Sequence, residues 1–257
     1  MNCRPLVFSV WLLLGLGSLA DAEQSEVAPD RPDVTNSTQT VPLGAVQLET
    51  GIAYARARQA GAPVQQSLAF EGTVRVGLSD RLEARLEGEP VVQLRGAEDT
   101  DHGGLGIGFK YRFLDEGSWW PSLGIQPFLK VPFAPTGSGL PDLGARVLAS
   151  WDLPWRFSLD ANAGMTAVAQ TGPGGYLLQA LVSASLAKEI TERLSGFAEL
   201  FFTSRGERGG RDSLGFDTGL VYLLTRQLAL DAAVAITLTG RGPDVAIQTG
   251  VSVRFGR

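Results

Sequence analysis

The side chains best equipped for chemistry sit in one glycine-flanked run, EDTDHGG, where His102 stands beside Glu98, Asp99 and Asp101. An imidazole among carboxylates could bind a cation or activate a water as a general base. His102 is the one histidine of the chain, and a lipase-like site would also need a serine nucleophile within its reach. No serine is placed by sequence to meet it. A charged surface loop has the same composition without any such role, so the run reads as a solvated loop. No catalytic residue, metal ligand or cofactor is assigned. Two other spellings fail their context: the glycines of GGLGIGF (103–109) imitate a dinucleotide fingerprint but open no helix, and Asn36-Ser37-Thr38 matches a glycosylation acceptor by spelling only.

The remaining charge recurs at every second position. Leu68, Phe70, Val74, Val76 and Leu78, then Leu82, Ala84 and Leu86, alternate with Glu71, Thr73, Arg75, Glu83, Arg85 and Glu87. The same beat runs through Leu105 to Phe113, Leu143 to Trp151, Phe157 to Met165, Leu228 to Leu238 and Val245 to Phe255. Period-two alternation is the mark of a strand with one apolar and one polar face.

Compact polar turns separate these runs, starting at Leu78 (LSDRL), Leu114 (LDEGSWWPSL), Leu153 (LPWRF), Ile190 (ITERL) and Leu224 (LTRQL), with spacings of 36, 39, 37 and 34 residues. A period near 36 would also fit a helical solenoid, but the flanks alternate every second residue and exclude it. Between the turns lie six longer stretches rich in Gly, Pro and charge, at 56–66, 95–104, 134–142, 169–176, 204–213 and 239–244. Eleven connections join twelve strands, and both chain ends fall on the short-turn side. Short turns at one end and long loops at the other are the arrangement of an outer-membrane barrel.

A soluble sandwich alternates too, so three further features decide. The runs are roughly 10 to 13 residues long, which suits a tilted bilayer crossing better than a sandwich strand. Trp119, Trp120, Trp151 and Trp155 cluster at the short turns with Phe113, Tyr222 and Phe255, while Tyr54, Phe133, Tyr176 and Phe202 mark the other end. Two aromatic levels bracket a membrane. The hairpins also follow one another without a long crossover, which favours an up-and-down closed barrel with no edge left for lipid to meet. The fold expected is an all-β, twelve-stranded antiparallel transmembrane barrel over residues 43–257.

Residues 1–22 combine Arg4, an apolar run from Leu6 to Leu19 and small residues at Ala20 and Ala22, the pattern of a cleavable secretory signal. Cys3 is the one cysteine and precedes the apolar run, so it does not sit at a lipoprotein cleavage site. The formal net charge of -5 gives no reason to expect nucleic acid. The polar, proline-bearing residues 23–42 read as a flexible periplasmic arm; the competing reading folds them into the barrel as a plug, with Arg31 and Asp33 meeting lumen charges.

With the apolar face toward lipid, the other face lines a lumen. The pore-lining candidates are Glu71, Arg75, Glu83, Arg85, Glu87, Lys110, Arg112, Lys130, Arg146, Asp160, Glu199, Asp217, Asp231 and Arg254, joined by Glu49 and Glu89. Nine acids and seven bases mixed along the sequence read as a paired interior without segregation by sign. That interior fits either a weakly selective polar pore or a salt-bridged filling that holds the barrel together.

The segment DRPDVTNSTQTVPLGAVQLETG (30–51), the turn spellings SDRL, TERL and LTRQL, and the closing strand GPDVAIQTGVSVRF resemble the phenol-degradation meta-pathway (MetA-pathway) family of outer-membrane transporters. The resemblance implies a passive conduit in the outer membrane for small solutes, aromatic or apolar compounds included, inserted by the barrel-assembly machinery. One departure is the ending: Phe255 is followed by Gly256 and Arg257, where barrel chains often stop on an aromatic. Against the conduit stand a rim hydrolase built on His102 and an adhesive barrel acting through its loops.

Overall fold

The protein is described here by a computed structural model covering residues 26–58, 63–95, 103–133, 139–170 and 175–256. His102 and residues 1–25 lie outside the described residues, and so does the expected signal. Twelve strands follow in chain order: β1 (Val46–Ala57), β2 (Gln65–Ser79), β3 (Leu82–Arg95), β4 (Gly103–Leu114), β5 (Ser122–Pro132), β6 (Asp142–Leu153), β7 (Phe157–Ala169), β8 (Tyr176–Glu189), β9 (Leu194–Thr203), β10 (Ser213–Thr225), β11 (Leu228–Thr239) and β12 (Val245–Phe255). Each pairs antiparallel with its sequence neighbours, and β1 pairs with β12 to close the barrel. The closing register sets Gly51 opposite Gly250. The expected strand count and all five compact turns are borne out.

The distribution of polarity is inverted relative to a soluble protein. Leu48, Ile52, Phe70, Leu105, Ile107 and Phe109 are exposed, whereas Gln47, Glu83 and Lys110 are 0% exposed and Arg75 1%. An outward apolar band around a charged interior is stable only where the surroundings are themselves apolar. Trp119 and Trp155 project at the short-turn end, 92% and 84% exposed. Trp155 and Arg156 hold φ of 61° and 65° in the β6–β7 turn, left-handed values that a two-residue hairpin ordinarily gives to Asn-Gly.

Residues 26–42, the described part of the segment 23–42 for which a free arm was expected, instead run inside the barrel. Val27, Asp30, Thr35, Asn36, Thr38 and Val41 are buried there. The physical reason is a set of inward polar groups, Glu199, Gln126 and Asn162 among them, which the backbone and side chains of this segment satisfy. At the short-turn mouth the chain turns back on itself, with Gly44 at φ 78° and its N–H donating to the Gly77 carbonyl at 3.0 Å. Gly77 is required by this close approach, since a Cβ there would fall on the Pro42 carbonyl.

Candidate functional site

The lumen is built by the inward positions of every strand, and its chemistry is set by how the arm threads them. On one side Arg75 from β2 uses all five of its donors. Nε and Nη2 fork onto Glu83 at 2.9 and 3.0 Å, and Nη1 reaches Glu49 at 2.8 Å. The other two protons go to the arm carbonyls of Ala28 and Gln39, both at 3.0 Å. A guanidinium is the one side chain able to satisfy that many acceptors in a plane. Lys110 from β4 donates to Asp30 at 2.5 Å and to the Gln39 carbonyl at 3.1 Å, and Arg85 from β3 pairs with Asp30 and with Glu87 at 2.8 Å. Asp30 thus sits among three bases. Burial alone would raise its carboxyl, but Arg75, Lys110 and Arg85 outweigh burial and hold it well below the usual carboxylate range.

Elsewhere along the lumen the arm meets acids. Arg31 forks onto Asp231 of β11 at 3.0 and 3.2 Å and pairs with Glu71 of β2. Its guanidinium lies across Gly51 of β1 and Gly250 of β12, where any Cβ would overlap it. Glu199 of β9 accepts from the Val34 N–H at 2.7 Å and from the Thr35 hydroxyl, and Thr35 also meets Ser183 of β8 at 2.7 Å. Asn36 donates to Gln126 of β5 at 2.7 Å and exchanges bonds of 2.9 and 2.8 Å with Asn162 of β7. Thr38 closes on Ser150 and Ser122. Asp33, by contrast, meets no base among the described residues. Burial first, and then Glu199, push its carboxyl well above the ordinary value, with Asp160 and Asp217 adding to the effect and a Ser185 hydrogen bond opposing it.

Among the candidates, Arg75, Glu83, Arg85, Lys110, Glu199, Asp217, Asp231 and Arg254 are buried inside, and Glu71, Glu87, Arg146 and Asp160 lie half-exposed in the lumen. Lys130 reaches Glu89 at 3.8 Å, and Arg112 sits at the short-turn rim on Asp115 at 3.1 Å. On β1–β5 the bases stand among Glu49, Glu71, Glu83, Glu87 and Glu89 and mostly pair with them, and only the far wall is of one sign. The described bases of the lumen come from β2–β6 and β12, while the inward faces of β7–β11 contribute Asp160, Glu199, Asp217 and Asp231 and no base.

Three inward phenylalanines were not among the candidates: Phe128 on β5, and Phe197 and Phe201 on β9. Their signal was present, since Phe197 and Phe201 stand two residues either side of Glu199 and therefore share its face. Each covers a cross-strand glycine. Phe128 lies over Gly144, Phe197 over Gly219 and Phe201 over Gly215, with the ring filling the space a Cβ would take.

The arm divides the interior. A vestibule of about 660 Å³ opens toward the long loops, a central chamber of about 490 Å³ follows, and a lower space of about 290 Å³ opens at the short turns. Phe201 lines both vestibule and chamber. Arg31, Pro32 and Asp33 line both chamber and lower space, so this part of the arm is the septum between them.

The architecture matches solved barrels. An outer membrane channel of the COG4313 group from Pseudomonas putida F1 is 15% identical, with 90% of this chain and 100% of that chain covered at a TM-score of 0.62. The NanC porin is 10% identical over 81% of this chain and 98% of that one, at 0.59. The KdgM porin, solved in complex with disordered oligogalacturonate, is 9% identical over 82% and 99%, at 0.52. Identities this low establish the fold alone. No curated protein matches the sequence. The model of one family spans residues 29–255, and the chain belongs to that family, described as "Putative MetA-pathway of phenol degradation".

Proposed function

We propose that this protein is an outer-membrane conduit for passive passage of small solutes, aromatic or apolar compounds among them, with its own arm acting as a septum in the lumen. The observation that carries the reading is the closed barrel with an apolar exterior, a charged interior and water-sized spaces on both sides of the septum. A structural barrel needs no such spaces. The sixteen inward charges named above then line or gate the path, and none is assigned a catalytic role. The likeness to the outer membrane channel and the two porins supports the same reading, as does the family's description.

Delivery by a signal over residues 1–22 and insertion by the barrel-assembly machinery complete the proposal. The test is swelling of liposomes carrying refolded residues 23–257 in solutions of small solutes. Swelling at a rate above protein-free liposomes supports the conduit, and indistinguishable rates from a correctly folded barrel would remove it.

A further inference from the structure

The central chamber has a feature the conduit does not require. Arg146 of β6 projects into it with its guanidinium 5.5 Å from the centre of the Phe128 ring. Among the described residues it meets no carboxylate within ion-pair distance and makes no hydrogen bond, and Glu87 is the acid that attracts it most strongly from beyond contact distance. Its neighbours in the chamber are all committed: Arg31 to Glu71 and Asp231, Arg85 to Asp30, Glu83 and Glu87, Lys130 to Glu89. A half-buried guanidinium stacked on an aromatic ring keeps its N–H edge for an incoming acceptor while its face is occupied.

The rest of the chamber is shaped for a flat guest. Phe128 and Phe201 stand on separate walls, β5 and β9, each backed by a bare glycine that lets the ring lie against the sheet. The charges of that chamber are also sorted. Arg146, Lys130 and Arg85 lie on the β3–β6 wall, where Glu87 and Glu89 pair with Arg85 and Lys130 and leave Arg146 as the excess charge, while Asp33 and Asp217 lie toward β9 and β10. A negative group is drawn to the first wall and repelled by the second, which orients a guest as well as holding it.

We propose that the chamber bounded by Phe128, Arg146 and Phe201 is a binding site for planar aromatic carboxylates, the carboxylate forked on Arg146 and the ring between the phenylalanines. The site rests on the conduit reading in that its occupants are the solutes in transit. A volume of about 490 Å³ holds one such molecule with room for water.

The test is calorimetric titration of refolded residues 23–257 in detergent with benzoate, cyclohexanecarboxylate, benzyl alcohol and acetate. Benzoate should bind most tightly. Cyclohexanecarboxylate, with the same charge but no flat ring, should bind about three- to tenfold more weakly, as the loss of aromatic stacking implies. Arg146→Gln should weaken benzoate about tenfold or more and bring it level with benzyl alcohol, because a hydrogen-bonded charge partner is removed. Arg146→Lys keeps the charge and loses the fork, so it should fall between the two. Phe128→Leu and Phe201→Leu should each narrow the gap between benzoate and cyclohexanecarboxylate. Folding of every variant is read from heat-modifiable mobility on gels.

Benzoate binding no better than acetate, or unchanged in a folded Arg146→Gln barrel, would overturn the site. The same preparations tested for liposome swelling keep the two readings apart. Swelling without benzoate selectivity removes the site and leaves the conduit; benzoate binding lost in Arg146→Gln without swelling supports the site and removes the conduit.

Discussion

Asp30→Asn is the change that isolates what holds the arm in the barrel. Asp30 belongs to the arm and to no strand, so the wall keeps every side chain it needs to fold. Its carboxylate takes Lys110 Nζ at 2.5 Å and Arg85 Nη1, and Arg75 Nη1 stands 3.4 Å away. An asparagine of the same shape offers one neutral acceptor to these three bases. Two charge-assisted bonds become at best one neutral bond, a loss of about 3 kcal/mol, or roughly a hundredfold in the ratio of docked to undocked arm. Repulsion among the three bases adds to the loss.

The readout uses the absence of cysteine from residues 23–257. Thr38 is 2% exposed. A cysteine placed there reacts with a water-soluble thiol reagent only when the arm leaves its site, so the labelling rate reports the undocked fraction. The Thr38→Cys protein carrying Asp30→Asn should label about a hundredfold faster than Thr38→Cys alone. A rate within a factor of about two would refute the electrostatic account of docking.

Gly51→Ala should act chiefly through Arg31, because the three atoms nearest its Cβ all belong to that guanidinium. Thr38→Cys labelling should accelerate about tenfold while the barrel's unfolding temperature stays put. Asp33 gives a pH dependence of defined sign. Its docked value is raised, so its contribution to docking is complete below the undocked value of about 4 and is lost as pH climbs through the raised one. Labelling at Thr38→Cys, corrected for thiolate fraction, should quicken with rising pH, and Asp33→Asn should flatten that rise. Asp30, held low, keeps its contribution across the same range and loses it only toward strong acid. At the β6–β7 turn, Arg156→Gly relieves a positive φ and gives up one exposed ion pair with Glu189, so heat-modifiable mobility should persist to higher temperature by about 1 kcal/mol of stability.

What the sequence made legible was whatever a local period could report. Strand parity put Glu83, Lys110 and Glu199 inside and Leu86, Phe109 and Leu200 outside, because a face follows from position alone once a strand is recognised. The short turns carried their own chemistry, so the hairpin count followed. The arm was not legible in this way. Its bonds join residues such as Val34 and Glu199, 165 positions apart, and a polar, proline-bearing stretch has the same composition whether it is solvated or satisfied by a lumen. The single-sign wall of β7–β11 was readable in chain order, since Asp160, Glu199, Asp217 and Asp231 follow one another among the candidates with no base between them. Phe128, Phe197 and Phe201 were readable from parity but stood out only when the glycines beside them were known.

The measurement that tests the account most directly is single-channel conductance in a planar bilayer, comparing residues 23–257 with residues 43–257. If the arm is a septum in a water-filled lumen, the full chain should pass small currents and the shortened barrel steady currents several times larger. Equal currents from two folded barrels would contradict the septum, and silence from both would contradict the conduit itself.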